Sequence, residues 1–130
     1  VLDLEAAIRA HLGSLAALTA VYGNRMYAAR SLPPEYRSED GPGLLFMIRG
    51  GGQEFHSQLY KPSVQFRSYA ATEREARTAA RALYDALNDT QGRGFAWIRL
   101  EEGTLPTLLN EPGTNWPFVL SFYRFQVQNL

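Results

Sequence analysis

The stretch Ser63-Val64-Gln65-Phe66-Arg67-Ser68-Tyr69-Ala70 runs into Thr72-Glu73-Arg74-Glu75-Ala76 and changes period on the way. In the first part the pattern repeats at every second residue. Val64 and Phe66 point one way and Gln65, Arg67 and Tyr69 the other, which is the alternation of a strand. From Thr72 the repeat lengthens. Thr72 and Glu75 form a T-x-x-E capping box, which satisfies backbone donors that a helix start leaves unpaired. Ala76, Ala79, Ala80, Leu83 and Leu87 then follow at helical spacing and mark the buried face of a helix over 72–88. Its alanines allow close approach to a sheet, while Glu73–Arg77 and Arg81–Asp85 sit at i,i+4 on the wet side.

Upstream, Leu44 to Arg49 is an apolar run of strand length, followed by Gly50-Gly51-Gly52, where side-chain constraint is lost. The segment 50–62 then reads as an extended hairpin arm between two strands, carrying Gln53, Glu54, Phe55, His56, Leu59 and Tyr60. Further back, Leu4, Ile8 and Leu12 form a helical stripe with Asp3 as its expected cap. Ser14 is the expected cap of a short second helix through Leu15, Leu18 and Val21, which Gly23-Asn24 ends. Residues 25–43, with Pro33-Pro34 and a Ser38-Glu39-Asp40-Gly41 turn, read as a long irregular connection. Downstream, Phe95 to Leu100 and Pro117 to Gln128 read as two more strands. The order α-β-β-α-β-β predicts one α+β domain over 1–130: a mostly antiparallel sheet of about four strands, two helices on one face, and the arm.

Composition narrows the chemistry. The chain has 130 residues, no cysteine, and 13 basic side chains against 13 acidic ones. Disulfides, thiolate zinc sites and cysteine nucleophiles are thereby excluded. A balanced charge does not drive non-specific nucleic-acid binding. No apolar run reaches the ~20 residues of a membrane helix, and Val1-Leu2-Asp3-Leu4-Glu5 does not read as a signal peptide.

Candidate catalytic groups are sparse. His11 lies beside the apolar stripe of the first helix and reads as a packed side chain, and His56 with Glu54 supplies two ligands where a metal site needs three or four. Glu101-Glu102 reads as a solvated strand end, since adjacent strand residues face opposite ways. The triple glycine lacks the Lys-Ser/Thr of a phosphate loop. No catalytic residue, metal or cofactor is expected.

The anomaly is apolar excess on both faces of the strands. Phe118, Leu120 and Phe122 oppose Val119, Tyr123, Phe125 and Val127, and Leu44, Phe46 and Ile48 oppose Leu45 and Met47. Two helices cover one face only, and a wet antiparallel face alternates with polar residues. The second face is therefore covered either by long loops such as 25–43 or by a partner.

Several segments, taken in order, resemble the tail-completion, or tail-terminator, proteins of long-tailed bacteriophages. Leu4-Glu5-Ala6-Ala7-Ile8 leading to Leu18-Thr19-Ala20 resembles the family's opening helices. Gly23-Asn24-Arg25-Met26-Tyr27 with Leu32-Pro33 resembles its "G-x-R-I-Y … L-P" segment. Val64 to Ala70 entering Glu75-Ala76 and Leu83 to Leu87 resembles its "V-Q-V-x-x-W/Y-A" strand and second helix, and Glu111-Pro112-Gly113-Thr114 resembles the approach to its last strand. The region 50–61 departs from any such pattern, so no residue role transfers there. The resemblance implies a virion protein without an active site: a ring, usually a hexamer, stacked between the tail tube protein and the head-tail connector protein, assembled in the host cytoplasm, with DNA able to pass through it. On that reading Val119, Tyr123, Phe125 and Val127 are the expected subunit interface, and Gln53, Glu54, Phe55, His56, Leu59 and Tyr60 the expected arm contacts with neighbours or tube. Two alternatives stay open: another neck or head-completion protein, or a ferredoxin-like or ACT-like domain that dimerises through its sheet and binds a small ligand.

Overall fold

The helix over 73–87 forms where its cap and period require. In the computed structural model, Thr72 Oγ1 accepts a hydrogen bond from the Glu75 backbone N–H at 3.2 Å, and Ala76, Ala79, Leu83 and Leu87 are buried. The structure describes residues 4–53, 60–92, 94–101 and 105–127, with the backbone alone at 50–53 and 60.

In chain order the elements are α1 (Leu4–Ser14), α2 (Ala16–Tyr22), β1 (Met26–Ala28), a 3-10 turn (Ser38–Asp40), β2 (Gly43–Gln53), β3 (Tyr60–Tyr69), α3 (Glu73–Leu87), β4 (Thr90–Gly92), β5 (Phe95–Leu100), β6 (Thr107–Asn110) and β7 (Pro117–Val127). The α+β class holds, with more elements than expected. Among the described residues there is one seven-stranded sheet in the order β1-β2-β3-β7-β5-β4, with β6 also on β7. Three helices lie on one face instead of two. The additional strands β1, β4 and β6 hold three or four residues each, too few to display a period. β1 hides within the segment read as irregular, where it pairs with β2 in parallel, Met26 opposite Leu44.

β7 is the axis of the sheet. One edge carries β3, from Tyr69 opposite Phe118 to Tyr60 opposite Val127. The other edge is shared end to end: β6 pairs with residues 117–120 and β5 with residues 123–127. Between β2 and β3 the register shifts once, at Ile48/Gly50, and pairing then continues to Gln53 opposite Tyr60. The arm expected over 50–62 is thus a paired two-stranded ribbon as far as it is described; Glu54, Phe55, His56 and Leu59 lie outside the described residues.

The main core lies between the helices and one sheet face. Ile8, Leu12, Leu18, Tyr22, Ala79, Leu83 and Leu87 from the helices meet Leu44, Phe46, Val64, Phe66, Ile98, Tyr123, Phe125 and Val127. Val119 joins Ala70 and Ala76 beneath α3. Local caps differ from expectation in one place: Leu15, not Ser14, precedes α2, and Ser14 Oγ donates back to the His11 carbonyl at 2.6 Å. Asp3 lies outside the described residues.

Candidate assembly surfaces

The side chains expected at a subunit interface are core. Val119, Tyr123, Phe125 and Val127 are at most 4% exposed and lie beneath the helices. The two-residue period separated the faces of β7 correctly, but the helices cover the face opposite to the one expected. Burial pushes the Tyr123 phenol pKa upward, with the phenol of Tyr22 adding to the shift. The reason is legible in β7 itself. Phe118, Leu120 and Phe122 share their face with Arg124 and Gln126, whereas the opposite row stays apolar to Val127.

Among the described residues, the second face is covered at one end only. A strap over residues 29–42 folds across it, pinned by Tyr36, which is 2% exposed and packs with Leu45, Tyr69 and Phe118. Tyr27, Leu32, Trp116 and Leu120 complete this small core, and the Tyr36 ring lies edge-on to Trp116 at 5.5 Å. Tyr36 Oη donates to the Gly41 carbonyl at 3.0 Å, and Arg25 Nε donates to the Pro42 carbonyl at 2.9 Å, closing the base of the strap. Desolvation pushes the Tyr36 and Tyr69 phenols up to about 12. Cover by the long connection, one of the two alternatives that the sequence leaves open, thus holds for part of the second face.

Beyond the strap the face is open and amphipathic. Half-buried Met47, Gln65 and Phe122 lie side by side across β2, β3 and β7. Guanidinium groups rest on the rings: Arg49 Cζ is 4.3 Å from the Phe122 centroid, Arg67 Cζ 5.4 Å from Phe118, and Arg99 Cζ 5.1 Å from Trp97. Such contacts contribute roughly 0.5–1 kcal/mol each at exposed sites. Glu101, expected as a solvated strand end, is an organising group instead. Its carboxylate accepts from Arg124 Nη2 at 2.6 Å and Ser63 Oγ at 2.8 Å, with Arg49 Nη1 at 4.0 Å. One side chain thus ties the end of β5 across β7 to β3. Arg49, Lys61, Arg67, Arg99 and Arg124 share this face with Glu101 and, at the strapped end, Glu111, which accepts from Tyr69 Oη at 2.7 Å. The surface therefore combines apolar side chains with arginines that are in part ion-paired, Arg99 with Asp89 at 2.9 Å and Arg124 with Glu101 at 2.6 Å.

A second surface lies at the free edge of β6. Leu105 and Leu109 are the exposed large hydrophobic residues among those described, at 82% and 40%. Beside them a groove of about 610 Å³ runs between α3 and the sheet, lined by Ala80, Tyr84, Leu100, Leu108 and Val119, with Arg77 and Arg81 at its rim. The sequence signal for this surface is four uncharged residues, Thr107 to Asn110, preceded by Pro106 and followed by Glu111-Pro112.

For the remaining expected groups, His11 is buried against Phe95 with ring centroids 5.4 Å apart, and His56 lies outside the described residues. Gln53 and Tyr60 close the described part of the ribbon. Among the described residues, no three His, Asp or Glu side chains converge as metal ligands.

The fold is similar to that of a virion chain. A solved structure titled "Virion of native gene transfer agent (GTA) particle" contains a chain that superimposes with a TM-score of 0.63 at 19% sequence identity, covering 97% of this chain and 95% of that one. No protein-family model matches the sequence. No curated protein matches it either.

Proposed function

We propose that this chain is a structural subunit of a phage-like virion and that it closes the tail tube as a ring, a hexamer as the family resemblance implies. The observation that carries the reading is the fold likeness to the virion chain, which spans nearly the full length of both proteins. The ordered resemblance of 4–20, 23–33, 64–87 and 111–127 to tail-terminator segments supports the finer assignment. Its partners are further copies of itself, the tail tube protein and the head-tail connector protein, and its place is the neck of the particle after assembly in the host cytoplasm.

The chemistry asked of such a protein is recognition. A tube of stacked rings grows because each ring offers the next a fresh surface; a terminator matches that surface on one side and does not reproduce it on the other. The open sheet face supplies an asymmetric surface of this kind, with Met47 and Phe122 at its centre and arginines around them. The test is mass and tail length. Native mass spectrometry of the free chain, alone and with tail tubes, should give rings, and tails assembled with Phe122→Asp protein should be overlong or fail to join heads. Normal tails with that variant would remove the open face from the mechanism. A stable dimer with no affinity for tubes would favour the sheet-dimerised, ligand-binding domain instead.

A further inference from the structure

Among the described residues, the outer edge of β6 has no backbone partner. The hydrogen bond from Glu111 N to Trp116 O, 2.8 Å, continues the β6–β7 ladder. Antiparallel pairs alternate between bonded and non-bonded, so Leu109 and Thr107 turn their N–H and C=O toward β7. Leu108 and Asn110 therefore turn theirs away from it, and among the described residues no strand lies there. Natural edge strands are usually guarded by a charge, a proline or a bulge. Thr107-Leu108-Leu109-Asn110 has none of these within it. The neighbouring end of β5 is closed, since Leu100 N donates to Asn88 Oδ1 at 2.8 Å. The open edge thus presents the exposed Leu109 on the face of Phe118 and, on the other face, the α3 groove lined by Leu108 and Val119 with Arg77 and Arg81 at its rim.

We infer that this edge receives, by strand addition, the tip of the β2–β3 ribbon (residues 53–60) from a second copy of the chain. The inference rests on the ring reading above and names the contact that would build the ring. Charge and shape favour this occupant: the tip sequence Gln53-Glu54-Phe55-His56-Ser57-Gln58-Leu59-Tyr60 carries a carboxylate for the arginine rim and apolar side chains for the groove. Position forces the contact to be between copies. Tyr60 pairs with Val127 at one end of β7, and β6 pairs with residues 117–120 at the other. The two ends are on the order of 30 Å apart at the rise of a strand, beyond the reach of a short hairpin tip within one subunit. A contact that joins one end of a subunit to the opposite end of the next is heterologous, and heterologous contacts close into rings when the rotation suits. Added strands gain affinity from main-chain hydrogen bonds and specificity from pockets for alternate side chains.

The test is sedimentation velocity and native mass spectrometry of the full chain carrying Leu109→Lys, Leu105→Lys, Arg77→Glu, Glu54→Arg, or Arg77→Glu with Glu54→Arg, each checked for an unchanged thermal melt. Both lysine variants change exposed positions and should weaken ring formation at least tenfold. Arg77→Glu and Glu54→Arg should each weaken it, and the combined reversal should recover it. Rings of unchanged stability in Leu109→Lys and Leu105→Lys overturn the edge contact while leaving the ring reading intact. Loss in the lysine variants without recovery in the double reversal overturns the ribbon tip as occupant. Absence of rings in the unmodified chain, alone and on tubes, removes the ring reading and this inference together.

Discussion

The Tyr22 hydroxyl lies 2.6 Å from Ser68 Oγ and 3.0 Å from the Ala79 carbonyl, all of them buried. A phenol has one proton. Because Tyr22 donates it to the carbonyl, Ser68 is the donor in the second bond. One side chain of α2 is thereby fixed to β3 and α3 at once. Tyr22→Phe should cost roughly 1–3 kcal/mol in urea unfolding, the range for leaving buried partners unsatisfied. A loss no larger than that of an exposed substitution such as Thr78→Ala would show that these bonds are replaced by others.

Alkaline pH should unfold the protein through its tyrosines. Burial raises the phenols of Tyr22 and Tyr123 and pushes Tyr36 and Tyr69 up to about 12, from an ordinary value of 10.0. Above the ordinary value the unfolded chain has released protons that the folded chain still holds, so stability falls as pH rises. It should be intact below about pH 10 and decline steadily above it. Tyrosinate absorbance and circular dichroism should change together; ionisation of these phenols before any loss of structure would contradict the assignment.

Leu83 and Arg77 test the helix face. Leu83 is fully buried among the core side chains, so Leu83→Ala should cost ~2–5 kcal/mol. Arg77 is exposed, and Arg77→Ala should change the thermal melt by well under ~1 kcal/mol. Comparable losses would mean that α3 is rotated.

The two faces of β7 should respond oppositely to the same substitution. Phe125→Asp places a carboxylate beneath the helices and should prevent folding. Phe122→Asp, on the open face, should give a soluble, folded subunit with altered assembly. Circular dichroism of the two purified variants separates these outcomes, and a folded Phe125→Asp protein would reverse the face assignment.

Gly43 holds the strap close. A Cβ there would come within 2.5 Å of Tyr36 Cε1. Gly43→Ala should therefore displace the Tyr36 ring and cost on the order of 1–3 kcal/mol, with faster proteolysis between residues 29 and 42. An unchanged digestion pattern would show that the strap accommodates the methyl group.

What could be read from residues alone was whatever had a period or a cap. β5 was expected at Phe95 to Leu100 and lies there, and α3 follows from Thr72, Glu75 and its alanine–leucine stripe. The face of β7 was harder, because Val119 to Val127 and Phe118 to Phe122 are both apolar. Arg124 and Gln126 carried the deciding information, and it concerns only one end of the strand. Glu101 reads as a solvated strand end from sequence because its partners, Ser63 and Arg124, are 38 and 23 positions away, and such pairings exist only once β3, β5 and β7 are side by side. The β6 edge escaped for a different reason: a four-residue strand has no periodicity, and its importance lies in the neighbour it lacks.

The register shift at Ile48/Gly50 bears on how this fold tolerates change. On the sheet side of the shift, Leu44 and Phe46 must keep their phase or the core turns inside out. Beyond it, glycines pair with Ser63, Pro62 and Lys61, and no large side chain of β2 dictates the phase there. The bulge acts as a joint on the β2 side only: β2 beyond it is relieved of the core's phase, while β3 stays paired with β7 as far as Tyr60 opposite Val127. Substitutions in the β2 half of the ribbon are therefore the ones expected to leave the phase of Leu44 and Phe46 unchanged, and β2 beyond the bulge is where an engineer would alter the ribbon first.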